Sequence, residues 1–186
     1  MSRRRPVARK QRRCSILLVV LAGLLSAFTF AACDTPVQSH FKQAVRLQEQ
    51  GKLQEAIAEY DEALKLNPKQ AEAYTNRGTA YANLGQPQRA IDDYTQAIVL
   101  NSKDALAFNN RGYTYLELRR YEVALADFNE TIRLKKEFAN AYLNRGIVLS
   151  LLGRQAEAQK DLDLVVKMGL DRTRVQAELD KFGVKQ

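Results

Sequence analysis

The tripeptide Asn-Arg-Gly occurs three times in this chain at an unvarying interval of 34 residues, at 76–78, 110–112 and 144–146. The flanking residues repeat with it: "YTNRGTAYANLG" at 74–85, "FNNRGYTYLELR" at 108–119 and "YLNRGIVLSLLG" at 142–153. A fixed period constrains the fold more tightly than composition does. Each copy must be one supersecondary unit, and such a unit buries its apolar face only by stacking on its neighbours. The frame divides residues 37–172 without a gap into 37–70, 71–104, 105–138 and 139–172.

Within the frame, position 4 is His40, Tyr74, Phe108 and Tyr142, and position 8 is Ala44, Gly78, Gly112 and Gly146. Position 11 is Leu47, Tyr81, Tyr115 and Leu149, position 20 is Ala56, Ala90, Ala124 and Ala158, and position 24 is Tyr60, Tyr94, Phe128 and Leu162. At about 100° per residue, positions 4, 8 and 11 make one helical stripe and positions 20, 24 and 27 a second. Gly51, Gly85, Arg119-Arg120 and Gly153 break the pattern between them. Each unit therefore reads as helix, tight turn, helix. A mid-helix glycine costs about 1 kcal/mol relative to alanine. Three of them opposite an invariant alanine predict a close approach of the two helices.

By period and pattern, residues 37–172 resemble the tetratricopeptide repeat. The resemblance implies an all-α fold, a right-handed α-solenoid of four helix-turn-helix repeats plus a C-terminal capping helix within 173–186. The pattern departs from the family where Ser102, Lys136 and Leu170 replace the closing proline kept at Pro68, and repeat 1 lacks the aromatic at position 4 and the glycine at position 8. Val175, Leu179 and Phe182 share one face of the last segment, with Gln176, Glu178 and Lys181 expected to face away. At the other end Thr35-Pro36-Val37-Gln38 fits a capping box with proline at N1.

Position 7 flanks the first stripe and position 23 flanks the second. Arginine at 7 occurs with aspartate at 23: Arg77 with Asp93, Arg111 with Asp127, Arg145 with Asp161; repeat 1 changes both, to Gln43 and Glu59. The co-occurrence predicts structural ion pairs within repeats 2–4, with pairing to a neighbouring repeat as the alternative. Positions 2, 6, 9 and 13 point away from the core stripe. In the family this face lines the concave groove, so the resemblance implies a peptide-binding surface there, with Lys42, Asn76, Thr79, Asn110, Tyr113, Asn144 and Ile147 as its contact residues. The amides of Asn76, Asn110 and Asn144 would form a ladder able to donate to and accept from an extended backbone. Ile147 and Leu151 give the groove an apolar end, which suggests apolar side chains of a partner, a second copy of this chain, or cover by the capping helix. Some relatives hold acidic chaperone C-termini with basic groove residues; Phe41, Leu106 and Asn110 occupy those places here, which argues against that ligand.

The formal charge of +8 is not spread over the repeats. Seven bases and no acid lie in residues 1–32, whereas the other 22 of 29 bases meet all 21 acids in residues 33–186, leaving +1. That is a solvated surface without a phosphate-binding patch, so no nucleic-acid partner is expected. The leading bases precede "SILLVVLAGLLSAFTFAA" at 15–32, an uncharged run with the layout of a secretory signal. It ends in Phe30-Ala-Ala-Cys33, which resembles the lipobox of bacterial lipoproteins, with phenylalanine where leucine is usual. The resemblance implies a signal peptide over 1–32, acylation of Cys33, a short linker over 33–36, and a membrane anchor held by more than one acyl chain. An uncleaved anchor helix and a plain secretory signal cut after Ala32 remain alternatives. Asp34 resembles an inner-membrane retention signal of enteric lipoproteins. Cys14 leaves with the signal, so the mature chain has no thiol pair for a disulfide or a thiolate metal site.

With one histidine, no nucleophile–base set, no phosphate loop and no ligand cluster, the chain is not expected to be an enzyme or to need a cofactor or metal. The expected function is an adaptor or scaffold in the bacterial cell envelope, facing the periplasm or exterior and binding an envelope protein of unknown identity. A self-associating structural lipoprotein, a pilotin-like assembly factor for a pilus or secretion system, and a cytoplasmic scaffold are the other readings.

Overall fold

The computed structural model describes residues 34–184; Cys33 and the leader lie outside the described residues. Among the described residues there are nine α-helices and no strand. They are α1 (Pro36–Glu49), α2 (Leu53–Leu66), α3 (Ala71–Asn83), α4 (Pro87–Leu100), α5 (Ala105–Glu117), α6 (Tyr121–Leu134), α7 (Ala139–Leu151), α8 (Gln155–Lys167) and α9 (Arg172–Lys181). Odd and even members pair as antiparallel hairpins, α1 with α2 through α7 with α8, and each hairpin stacks on the next through α2–α3, α4–α5 and α6–α7. No helix among the described residues is long and apolar enough to cross a membrane.

The first helix starts where its sequence dictates. Thr35 caps α1, taking the Gln38 amide at 3.3 Å while the Gln38 side chain takes the Thr35 amide at 3.2 Å, and Pro36 stands at N1. Three of the four intra-repeat turns put glycine in the left-handed region, Gly51 at φ 74°, Gly85 at φ 70° and Gly153 at φ 76°; Arg119 takes the same place at φ 59°.

Glycine at position 8 is explained by what faces it. A Cβ on Gly78 would stand 2.8 Å from the Tyr94 ring and 3.2 Å from the Ala90 carbonyl oxygen; on Gly112 it would stand 3.0 Å from Phe128, and on Gly146 3.0 Å from Leu162. The aromatic or leucine at position 24 thus lies directly over the glycine backbone. The apolar core falls into separate clusters. One joins repeat 1, through Leu47 and Tyr60, to Ala73 at the start of α3, and another centres on Tyr81 and Tyr94. The largest joins repeats 3 and 4 to α9 through Leu116, Phe128, Ile147, Leu162, Val175 and Leu179.

Candidate functional site

The odd-numbered helices touch one another from repeat to repeat, α1–α3, α3–α5 and α5–α7, whereas neighbouring even-numbered helices make no comparable contact. The odd-numbered helices are therefore on the inside of the curve, and their outward residues line its concave face. An open cleft of about 230 Å³ lies there between α3 and α5, walled by Thr79, Asn83, Asn110, Tyr113 and Glu117 and floored by Tyr94. Burial pushes the Tyr94 hydroxyl up to about 12, and it donates to Thr79 Oγ1 at 3.3 Å.

The predicted asparagine ladder is wired differently from expectation. Asn144 Nδ2 donates to Asn109 Oδ1 at 3.4 Å, Asn109 Nδ2 to Asn110 Oδ1 at 3.2 Å, and Asn110 Nδ2 to Thr79 Oγ1 at 3.3 Å. The Thr79 hydroxyl in turn donates to the Thr75 carbonyl at 3.0 Å. These amides form a relay that ties repeats 2, 3 and 4 together. Asn109, at position 5, is its central member and was not singled out from sequence; a polar residue at a position held by Thr75 and Leu143 in its neighbours is the signal that marks it. Asn76 is half-buried and Lys42 is exposed, its ammonium 2.7 Å from Asp34.

Two expectations for the groove need correction. Ile147 is wholly buried and Asn144 is 8 % exposed, so neither offers a free contact. For Ile147 the reason is α9, whose Val175 and Leu179 join it in the same core cluster, with Leu151 packed against it; Asn144 is drawn in by its bond to Asn109. The apolar end that suggested a second copy is covered by the chain itself. Lys181 is exposed as expected, and from there its ammonium also meets the Tyr113 hydroxyl and lies 5.0 Å from the Tyr113 ring centroid and 3.6 Å from Glu117.

Position 7 is a structural staple. Arg77 forks onto Asp93 at 2.8 and 2.7 Å, Arg111 onto Asp127 at 2.9 and 2.8 Å, and Arg145 onto Asp161 at 2.7 and 2.8 Å. The third nitrogen of each crosses to the preceding repeat, to Asp61 at 2.5 Å, Thr95 at 3.0 Å and Asn129 at 2.8 Å. The ion pair is within the repeat in all three, only Arg77 also pairs with a carboxylate of the preceding repeat, and position 25 is the acceptor that sequence reasoning missed. Each guanidinium also lies over the position-4 aromatic, 5.4 Å from the Tyr74 centroid, 5.6 Å from Phe108 and 5.5 Å from Tyr142. Burial opposes the Arg77 charge, but Asp93 and Asp61 outweigh it and hold the guanidinium above its ordinary value. Repeat 1 replaces the staple with His40, whose Nδ1 lies 2.6 Å from Glu59.

No group of metal-ligating side chains occurs among the described residues. Residues 46–85 match a TPR repeat model, and residues 71–104 and 109–168 match two tetratricopeptide repeat models. No curated protein sequence matches the chain. Among solved structures, MamA is 27 % identical over 71 % of this chain and 77 % of its own, with a TM-score of 0.68. The second TPR of Spaghetti (RPAP3), bound to the HSP90 peptide SRMEEVD, is 32 % identical over 54 % of this chain and 94 % of its own, with a TM-score of 0.53. PilF of Pseudomonas aeruginosa, 21 % identical over 79 % of this chain and 67 % of its own at a TM-score of 0.70, shares the fold. With hairpins stacked at a 34-residue period, arginine staples between them and repeat models matching from 46 to 168, the chain is a tetratricopeptide-repeat protein.

Proposed function

We propose that this chain is a protein-interaction adaptor of the bacterial cell envelope. It binds a peptide or helix of a partner in its concave groove and is tethered to a membrane through acylated Cys33. The observation that carries the groove reading is the open cleft between α3 and α5, where Asn83, Glu117 and the amide hydrogen that Asn110 does not donate to Thr79 line the wall beside the Tyr113 ring. Such a wall can satisfy a peptide backbone while a tyrosine anchors a side chain. The similar RPAP3 domain holds an acidic chaperone peptide. This chain places Leu106, 47 % exposed, and Asn110 where such a ligand would need cations, so its own ligand differs. The basic leader, the uncharged run and Cys33 support the tether.

The test is capture from crosslinked membranes with wild-type protein and with Asn110→Ala/Tyr113→Ala. Loss of one envelope protein from the folded variant is the expected result; identical captures would refute groove binding. For the tether, Cys33→Ser is expected to abolish incorporation of radiolabelled palmitate, and retained label would refute acylation there.

A further inference from the structure

The last helix does not extend the stack. It begins at Arg172, where a fifth repeat would place its first helix, yet it crosses the concave face of repeats 3 and 4. Val175 and Leu179 are buried in the cluster of Leu143 and Ile147, and Phe182 meets the Tyr113 ring edge-on with centroids 6.2 Å apart. Lys181 adds its contacts to the Tyr113 hydroxyl and Glu117. The docked segment therefore has a definite chemistry: an aliphatic pair one helical turn apart, then a lysine–aromatic step.

Only Val175 and Leu179 of this helix are buried, and open clefts flank it on both sides. One open cleft of about 330 Å³ runs between α9 and α8, bordered by Gln159, Leu162 and Val166. Another of about 220 Å³ lies on the opposite flank, where Arg174 and Glu178 stand above Asn109, Asn140 and Asn144. A helix of 10 residues is also marginal without its dock, so little helical free energy holds it in place.

We propose that α9 is a resident occupant of the groove, standing in for an external amphipathic helix of the same chemistry that displaces it. The inference rests on the groove reading given above and names the ligand class: a helix with aliphatic residues at i and i+4 and a basic–aromatic step. Charge agrees with that class. Glu72 and Glu117 are exposed on the middle helices of the face, and at repeat 1 Glu49 stands with Lys42. Larger side chains on an external helix would reach the flanking clefts that α9 leaves open, and its lysine would replace Lys181 at Tyr113 and Glu117.

The experiment uses the full chain in detergent and a fluorescent peptide of residues 170–184. The chain is tested as wild type and as Lys181→Ala/Phe182→Ala, with hydrogen exchange reporting whether α9 is released. The peptide is expected to bind the double variant about 10-fold more tightly than wild type, and a peptide with Lys181→Glu about 10-fold more weakly than the native one. Adding Tyr113→Ala is expected to abolish binding. A folded double variant whose α9 amides exchange freely but which does not bind the peptide would overturn the proposal and leave α9 as a fixed cap. A membrane partner that depends on Asn110 and Tyr113, found alongside that negative result, keeps the adaptor reading and still overturns this one.

Discussion

At the scale of single residues, the arginine at position 7 does three things: it closes its own hairpin, reaches back one repeat and covers an aromatic ring. Burial raises the Asp93 carboxyl above its usual range against the pull of Arg77, while the same pair holds the Arg77 charge more firmly than usual. Removing one partner is the costly change, because it strands a buried charge. Asp127→Ala is expected to lower stability by about 3 kcal/mol in urea denaturation, since the Arg111 side chain is only 17 % exposed. Thr95→Ala removes the exposed crossing hydrogen bond to Arg111 and should cost no more than about 1 kcal/mol. Gly78→Ala gains helix propensity of about 1 kcal/mol, but its methyl meets a buried tyrosine ring and a backbone oxygen, and overpacking costs about 1–3 kcal/mol. A net loss is expected by the same denaturation measurement; a gain would show that α3 and α4 can separate. The within-repeat pairs were legible because arginine and aspartate covary across repeats. Position 25 was not, because Asp61, Thr95 and Asn129 share only acceptor capacity and no residue type.

At the scale of elements, the turns show where the local code is imperfect. Arg119 occupies a left-handed site that its counterparts fill with glycine, and a side chain there costs about 1–2 kcal/mol. Arg119→Gly is expected to stabilise the chain, by about 1 kcal/mol after the added freedom of the unfolded glycine is counted. The rise should register as a higher melting temperature. Asp104 caps α5, accepting from the Leu106 and Ala107 amides at 3.1 and 3.0 Å, and it also takes the Thr75 hydroxyl at 3.0 Å. Asp104→Ala should cost about 1–2 kcal/mol, more than an isolated cap, because repeats 2 and 3 lose a link together. The start of α1 was readable from Thr35 to Gln38 for the same reason: a cap is decided within four residues.

At the scale of the whole described array, the core is a series of clusters, with repeat 1 separate from repeats 3 and 4. Stability in such a stack is a sum of repeat terms and nearest-neighbour interfaces. Tyr60→Ala, at a wholly buried site, should cost repeat 1 about 3–5 kcal/mol by analogy with other buried aromatics. Hydrogen exchange is expected to quicken across α1 and α2 while α7 and α8 keep their protection. Uniform loss of protection would mean that the array unfolds as one unit.

The sequence by itself determined the period, the two helices per repeat, their turns and the arginine–aspartate pairs. Each of these depends on spacing along a helix or on a turn of a few residues, and such spacing sets which way a side chain points. Only the tertiary structure decided where α9 goes. An internal helix has a following repeat to fix its register, and the last has none. It settled where apolar surface remained, over Ile147 and Leu151, and so buried Ile147 and brought Lys181 and Phe182 to Tyr113. The asparagine relay was hidden for a related reason. Facing away from one repeat's core stripe does not mean facing solvent when the next repeat supplies an amide partner.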